Sequence, residues 1–263
     1  MIVPVVFSTG SLHPFGLERV YSWAAETGYD GIEIMMDDRW DTHQAVYLDH
    51  LAEKHGVPIR VFHPPLHRGV WNLGPQETLV RVTKLARSMQ VPVVVAHPPP
   101  PGRSLARWSA GPLREAREQG VCVAVENMPK SESRGIFGIR SGRSCHMPEH
   151  LVGLGDVTLD TSHVGASKVD LMRAYSVLAG QLRHIHLSDS DLTGGDQHRL
   201  PGKGRLPLRP FLAALAESDY PGVVSLELKP WPLGAPEPET ILGRMREALT
   251  FARRALGGNR RVS

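Results

Sequence analysis

The sequence predicts a single α/β domain of the (β/α)8 barrel class, in which eight parallel strands alternate with eight helices. Its 263 residues are a typical length for one such barrel. Strand and helix signals alternate along the whole chain, a pattern that indicates βαβ units and a parallel sheet. Six apolar runs end in a histidine, glutamate or aspartate, and the intervals between these ends, roughly 26 to 41 residues, match the repeat of a barrel.

The strands are predicted from short runs that are rich in Val, Ile and Leu. Such residues fit the buried, pleated surface of a parallel sheet. The first run begins directly at Ile2, and the last ends at Glu227. In chain order, we expect strands at 2–8, 31–35, 58–63, 92–97, 121–126, 157–160, 183–187 and 223–227.

The helices are predicted between these runs from apolar residues that recur with a helical period. The last helix is the most regular, because its apolar residues form one stripe from Ile241 to Ala252. In chain order, we expect helices near 16–27, 42–55, 76–89, 104–118, 147–153, 167–179, 208–217 and 238–254. These elements occupy the whole chain, so we expect one domain over residues 1–263.

Side-chain alternation favours a closed barrel over an open sheet. Successive residues of a strand face opposite sides of the sheet, so every second residue before a strand-end acid lies on the same face as that acid. The faces of the acids carry small or polar residues, which suit a narrow lumen, and the opposite faces carry Val and Leu. The first turn, Ser8 to Ser11, also lacks the Gly-rich pattern of many open nucleotide-binding sheets. The inward residues are Cys122 and Ala124 before Glu126, Thr158 before Asp160, and Val223 and Ser225 before Glu227.

Composition and charge exclude several classes of protein. The formal net charge of +3 is too small to indicate nucleic-acid binding by itself. Two cysteines, Cys122 and Cys145, provide no disulfide framework and suit a reducing compartment. The N-terminus leads into a strand without a basic segment or a long apolar stretch, so we expect neither a signal peptide nor a membrane anchor. We therefore expect a cytoplasmic protein.

The strand ends carry side chains that commonly bind metals. Parallel strands of a barrel end at one mouth, where many ionisable groups would be costly to bury unless a cation neutralised them. His163 follows Asp160 by three residues, and Asp196 and His198 form a further pair after the seventh strand. Mixed imidazole and carboxylate ligands suit Zn²⁺, Mn²⁺ or Fe²⁺ better than Ca²⁺. The sequence therefore predicts a divalent metal, with one ion expected and up to three accommodated.

These motifs together resemble the xylose-isomerase-like barrel superfamily, which holds sugar isomerases, sugar epimerases and endonuclease IV. Their order and their placement at strand ends carry the resemblance, which spans nearly the whole chain. The matching segments are Gly-Ile-Glu-Ile at 31–34, His97-Pro98, Glu126-Asn127, Asp160-Thr-Ser-His163, His186-Leu-Ser-Asp189, Asp196-Gln-His198 with Gly202-Lys-Gly204, and Leu226-Glu227.

The resemblance to the sugar epimerases implies one metal and one pair of acid–base residues. The metal ligands would be Glu126, Asp160, His186 and Glu227. Glu126 and Glu227 would transfer the proton on opposite sides of a carbohydrate substrate, through an enediolate that the metal stabilises. The substrate, a sugar or sugar phosphate, would be bound by His63, His97, His163, Arg199 and Lys203.

The resemblance to endonuclease IV implies an alternative, a trinuclear zinc phosphodiesterase that acts on abasic DNA. All nine of its ligand positions have a counterpart here. The segment after His63 lacks the Tyr-Leu pair that this nuclease wedges into DNA, so the sequence favours carbohydrate chemistry. The nine counterparts are the four residues of the epimerase set, together with His63, His97, His163, Asp196 and His198.

Several other roles are left open. His63 and His97 are interpreted either as ligands of a second metal or as residues that cap the mouth by hydrogen bonds. His184 is interpreted as a buried core histidine, and Glu33 as a structural acid or a substrate contact. The basic loop at 128–146 is expected to overhang the mouth as a lid or an anion-binding flap. A catalytically silent metal-binding barrel is the third alternative, and a homo-oligomer remains open.

Overall fold

Eight parallel strands close into a barrel in which each strand pairs with the next along the chain, and the last pairs with the first. The computed structural model describes residues 2–65, 71–130 and 144–257. The predicted (β/α)8 class is therefore confirmed. The strands are β1 (Val5–Ser8), β2 (Ile32–Met35), β3 (Ile59–His63), β4 (Val93–Ala96), β5 (Cys122–Glu126), β6 (Val157–Asp160), β7 (Leu182–Leu187) and β8 (Val223–Leu226).

Helices follow most strands and cover the outside of the barrel. The α-helices are α1 (Leu17–Thr27), α2 (Ala45–His55), α3 (Pro75–Ser88), α4 (Arg103–Trp108), α5 (Arg114–Arg117), α6 (Thr161–Ala166), α7 (Leu171–Leu178), α8 (Leu208–Glu217), α9 (Pro230–Leu233) and α10 (Pro238–Leu256). A π-helical turn at Ser109–Leu113 joins α4 to α5, so the helix expected near 104–118 is present with an irregular centre.

The helical structure on either side of β6 differs from the expectation. The helix expected near 147–153 is only a 3-10 turn, Pro148–His150. Gly153 and Gly155 follow it with φ of 80° and 84°, a left-handed conformation that ends helical structure. The short helix α6 was not expected, because it begins directly at the end of β6 with no polar loop before it.

The two faces of the strands line different cores. The small cluster inside the barrel contains Val6, Val61, Val95 and Ala124, with Cys122 packed against it. The large cluster between the barrel and the helices contains alternate residues such as Val123. The predicted side-chain alternation is therefore confirmed, and an apolar plug closes the lumen beneath the strand-end acids. Among the described helices, none combines the length and apolar character that a membrane span requires.

Candidate functional site

The predicted quartet comes together at the carboxyl ends of four consecutive strands. Glu126 ends β5, Asp160 ends β6, His186 lies in β7, and Glu227 directly follows β8. Parallel strands present these ends at the same mouth. One ligand atom of each residue lies within 4.8 Å of the others. All four side chains are buried or nearly so, and Glu227 is the most accessible of them, at 13%.

One nitrogen of His186 lies among the three carboxylates. His186 Nδ1 is 2.7 Å from Glu126 Oε1, 3.2 Å from Glu227 Oε2 and 3.7 Å from Asp160 Oδ2. The other ring nitrogen, Nε2, points away from them and lies 3.2 Å from both carboxylate oxygens of Glu33. The imidazole therefore separates three acids at the mouth from a fourth acid below.

The donor set of the quartet fits a divalent cation. Asp160 Oδ2 is buried and has no hydrogen-bond donor within the part of the chain that the structure describes. Across that same part, the carboxylates of Glu126, Asp160 and Glu227 form ion pairs with histidines and with no lysine or arginine. Buried carboxylates at this density are stable when a cation is shared between them. Three carboxylates and one imidazole suit Mn²⁺, Fe²⁺ or Zn²⁺.

A second group joins His63 and His97 to Glu126. His97 Nε2 lies 2.8 Å from Glu126 Oε2 and 3.1 Å from His63 Nε2. His63 Nδ1 donates to the carbonyl oxygen of Pro64 at 2.8 Å, so Nε2 is the nitrogen with a free lone pair. Burial, followed by the charge of His97, lowers the pKa of His63 to about 3. His63 is therefore neutral near pH 7, the form in which imidazole binds metals or accepts hydrogen bonds.

A third group contains Asp160, His163 and His198. His198 Nε2 lies 2.8 Å from Asp196 Oδ2, and His163 Nε2 lies 3.7 Å from the same oxygen. The Nδ1 atoms of both histidines donate to backbone carbonyls, that of Asn127 for His163 and that of Glu227 for His198. All nine residues predicted from the resemblance therefore lie at the mouth, in three groups that share members.

The pKa values of the two glutamates of the quartet are shifted in opposite directions. Burial favours the neutral acid at Glu126, but the positive charge of His186 and hydrogen bonds from His186 and His97 outweigh it and hold its pKa well below the usual range. At Glu227, burial dominates, and the carboxylates of Asp160 and Glu126 add to it, so its pKa rises to about 7. Two acids whose pKa values are moved apart are suited to opposite roles in proton transfer.

The structure does not bring Arg199 and Lys203 to this cluster. Arg199 pairs with Asp191 at 3.3 Å, and Lys203 pairs with Glu247 of α10 at 2.8 Å. Each cation pairs with an acid that is not a member of the quartet, and its role as a substrate contact stays a prediction. Of the basic loop expected at 128–146, residues 131–143 lie outside the described residues, as do residues 66–70 of the segment after His63.

Two residues of the site were not assigned a catalytic or metal-binding role from the sequence. Glu33 is fully buried beneath His186. In the sequence, it could have been noticed as a lone acid inside an apolar strand. Asn127 links two strand ends, because its side chain accepts from Asp160 N at 2.7 Å and donates to Asp160 O at 3.0 Å. In the sequence, Asn127 could have been noticed as an amide side chain directly after a strand-end acid.

A cavity of about 600 Å³ lies beside His97, between the loop after β3 and the loop after β4. Its volume is within the range of ligand pockets, roughly 300–1,000 Å³. The described part of its lining is mostly apolar and consists of Pro64, Pro65, residues 73–79, His97, Pro98, Pro99 and Trp108. His97 therefore borders both the cavity and the acid cluster.

Comparison with known proteins gives consistent matches along the chain. Residues 21–247 match the sequence model of a family described as xylose isomerase-like TIM barrel. A fructoselysine 3-epimerase of Escherichia coli O157:H7 is 33% identical over 240 residues, which cover 81% of this chain and 85% of that protein. An uncharacterized protein of Mycobacterium leprae is 29% identical over 278 aligned positions, covering 96% of this chain and 97% of that protein.

Solved structures match the fold over nearly the full length. A D-psicose 3-epimerase from Clostridium cellulolyticum H10 superposes with a TM-score of 0.71 at 15% identity, covering 96% of this chain and 99% of that one. A D-tagatose 3-epimerase-like protein gives a TM-score of 0.69 at 19% identity, covering 95% and 98%. At these identities the similarity establishes the fold alone.

Proposed function

The chain belongs to the xylose isomerase-like TIM barrel family, and from this premise we propose that it is a divalent-metal-dependent sugar or sugar-phosphate isomerase or epimerase. The observation that carries the proposal is the quartet of Glu126, Asp160, His186 and Glu227, whose ligand atoms converge within 4.8 Å. The E. coli relative, a fructoselysine 3-epimerase, supports carbohydrate as the substrate class.

The quartet would hold the metal, and two of its members would move the proton. A divalent cation bound there would supply positive charge beside the substrate oxygens, where negative charge develops as a proton leaves the neighbouring carbon. Glu126 is ionised near pH 7 and can remove a proton. Glu227 would return a proton to the substrate from the opposite side. The two together form the acid–base pair.

The remaining histidines would orient the substrate. His63, His97 and His163 each direct Nε2 towards the acid cluster, where it can contact a hydroxyl or carbonyl oxygen. His97 is the most accessible of the three, with 23% of its side chain exposed, and it borders the cavity. We therefore place the distal part of the sugar in that cavity. The positions of Arg199 and Lys203 give no support for a substrate contact.

Glu227→Gln and Glu126→Gln test this proposal. We expect each variant to lose at least about 100-fold in turnover, since general acid–base catalysis contributes roughly 10²–10⁴-fold. The measurement is a screen of ketoses, free and phosphorylated, in D₂O, with proton NMR to follow exchange of the carbon-bound proton. Glu247→Gln is the matched control, because Glu247 lies on α10 and pairs with Lys203. Unchanged exchange in both site variants would contradict the acid–base assignment.

A second candidate function is the trinuclear zinc phosphodiesterase acting on abasic DNA. The observation in its favour is that all nine ligand counterparts converge, including Asp196 and His198 on the loop after β7. Metal analysis of protein purified without added metal separates the two candidates. One ion per chain supports carbohydrate chemistry, whereas three zinc ions and cleavage of an abasic duplex support the phosphodiesterase. A metal-bound chain without turnover in either screen would support the silent barrel.

We also propose that the chain works as one domain over residues 1–263 in the cytoplasm, with a small carbohydrate as its partner. Cys122 and Cys145 are both free thiols in the structure, which suits a reducing compartment. Nucleic acid would be a partner only under the second candidate function.

A further inference from the structure

Glu33 lies beneath the cluster, on the side of His186 that faces away from the other carboxylates. Its side chain is fully buried in β2, and the layer above it is formed by the quartet. Both of its oxygens lie 3.2 Å from His186 Nε2, and Oε2 lies 3.1 Å from His184 Nε2. Glu33 therefore contacts the ring of a quartet member and is too deep to touch a substrate at the mouth.

We propose that Glu33 is a positioning residue that fixes the ring orientation and the proton of His186, so that Nδ1 is presented as a metal ligand. An imidazole that binds a cation through one nitrogen carries its proton on the other. With a cation bound among the three carboxylates, His186 Nδ1 would be its ligand and carry no proton, so the single proton of the ring would lie on Nε2, where Glu33 accepts it. A carboxylate in this place orients the ring and makes it a stronger ligand. The inference rests on the proposed function, since it takes the quartet as the metal centre.

The surroundings of Glu33 hold it in this position. Ser8 Oγ, from the neighbouring strand β1, donates to Glu33 Oε1 at 2.9 Å. His184 and His186 approach from β7, on the opposite side of the lumen. Within the described residues, these histidines are its ion-pair partners, and no lysine or arginine takes part. A fully buried carboxylate is costly without such partners. Its contacts therefore direct it at the histidines, and at His186 in particular.

Glu33→Gln tests the inference through metal affinity. Glutamine keeps the shape of the side chain but removes its charge and one of its two acceptors. We expect the Zn²⁺ dissociation constant, measured by competition with a chromophoric chelator, to rise about 10- to 100-fold. Ser225→Ala is the matched control, because Ser225 is also buried in the barrel and its Oγ has no hydrogen-bond partner among the described residues. This control should bind Zn²⁺ like the wild type.

A spectroscopic readout separates positioning from a merely structural role. In Zn²⁺-loaded protein, side-chain ¹H–¹⁵N spectra should show one His186 signal protonated at Nε2, with a proton shift typical of a hydrogen bond to a carboxylate. In Glu33→Gln this proton should move upfield and exchange faster with water. A structural role would lower the melting temperature and leave this signal in place. Should Glu33→Gln fail to fold, Ser8→Ala removes the anchor of Glu33 while keeping its charge, and should also weaken Zn²⁺ binding.

The outcomes distinguish this inference from the proposed function. Suppose Glu126→Gln abolishes Zn²⁺ binding, whereas Glu33→Gln leaves both the affinity and the His186 signal unchanged. The positioning role is then wrong, and the metal centre stands. Suppose instead that Glu126→Gln leaves Zn²⁺ binding unchanged. The quartet is then not the metal site, and both proposals fail.

Discussion

Asp160 has two roles, one for each oxygen of its carboxylate. Oδ1 accepts from the backbone N of His163 at 2.9 Å, which caps the N-terminus of α6. Oδ2 faces the acid cluster without a hydrogen-bond donor among the described residues. One side chain therefore fixes the helix that carries His163 and directs a second carboxylate oxygen into the site.

We expect Asp160→Asn to separate stability from metal binding. The amide oxygen can still cap α6, and the lost charge relieves repulsion among the three carboxylates. The lost charge also removes an ion-pair partner of His163, so the free energy of unfolding of the metal-free protein should change by no more than about 1 kcal/mol, measured by urea denaturation with a chelator present. Zn²⁺ binding should weaken by about 100-fold or more, since even a residue behind a metal ligand contributes about 10- to 100-fold. Asp170→Asn, which changes the exposed cap of α7, is the control and should not alter Zn²⁺ binding.

At the scale of single residues, the sequence predicted which acids lie at the mouth better than it predicted which residues contact them. Glu126 and Asp160 could be identified because the carboxyl ends of all strands in a parallel barrel lie at the same mouth. The partner of a charged group depends on what the fold brings near it. Glu33 contacts His186, which is 153 positions away, and Lys203, in the loop between β7 and α8, pairs with Glu247 on α10. No local pattern carries that information, so the contacts of Glu33 and Lys203 could not be predicted from the sequence.

The loop between β7 and α8 is organised by one buried carboxylate. Asp189 is 1% exposed and accepts hydrogen bonds from four backbone N–H groups, those of Ser190, Gly202, Gly204 and Leu206. The same loop carries Asp196 and His198 to the mouth. The Gly-Lys-Gly segment at 202–204, which contributed to the resemblance, therefore serves this carboxylate rather than a substrate phosphate.

We expect Asp189→Asn to destabilise this loop. The amide nitrogen would face backbone N–H groups that need an acceptor, which should lower the free energy of unfolding by about 1–3 kcal/mol. Urea denaturation measures this loss, and hydrogen exchange should show faster exchange at Gly202 and Gly204. Asp191→Asn is the control from the same loop, where the carboxylate is more exposed and accepts from Thr193 N. Equal stability of the two variants would argue against Asp189 as the anchor.

Element boundaries were predictable where a pattern ran for several turns. The helix expected near 208–217 has those bounds in the structure, and the stripe from Ile241 to Ala252 lies in α10. Short elements were missed because they depend on single contacts. Helix α6 exists because Asp160 caps it, and the segment near 147–153 fails to continue as a helix because glycines with positive φ follow it.

At the scale of the whole molecule, the metal should contribute measurably to stability. Binding to the folded state alone at 100 times the dissociation constant stabilises by about 2.7 kcal/mol. For a chain of this size, that corresponds to a rise in melting temperature of roughly 5–10 °C. Calorimetry of chelator-treated protein with and without added Zn²⁺ or Mn²⁺ measures the shift. Glu126→Gln should show little of it, and a full shift in that variant would place the metal elsewhere.

We expect the metal-free protein to lose stability as the pH rises from about 7 to 9. Burial opposes the charged form of His163 and His198, but nearby carboxylates, Asp160 foremost, raise their pKa values to about 10 and about 9. The folded state therefore binds protons that the unfolded state has released, and that stabilisation disappears as the pH passes the folded pKa values. Urea denaturation in the presence of a chelator should show a smaller free energy of unfolding at pH 9, and His198→Gln should reduce the difference. A flat profile would contradict these protonation states.

Three histidine rings at the mouth are held by main-chain carbonyl oxygens, those of Pro64, Asn127 and Glu227. Every amino acid supplies this atom, whichever side chain it carries. The orientation of each ring therefore does not depend on the side chain of the residue that accepts its hydrogen bond, and at Pro64 that side chain can change without moving the ring of His63. Homologues that differ at Pro64 can therefore change the wall of the neighbouring cavity while inheriting the same arrangement of nitrogen donors.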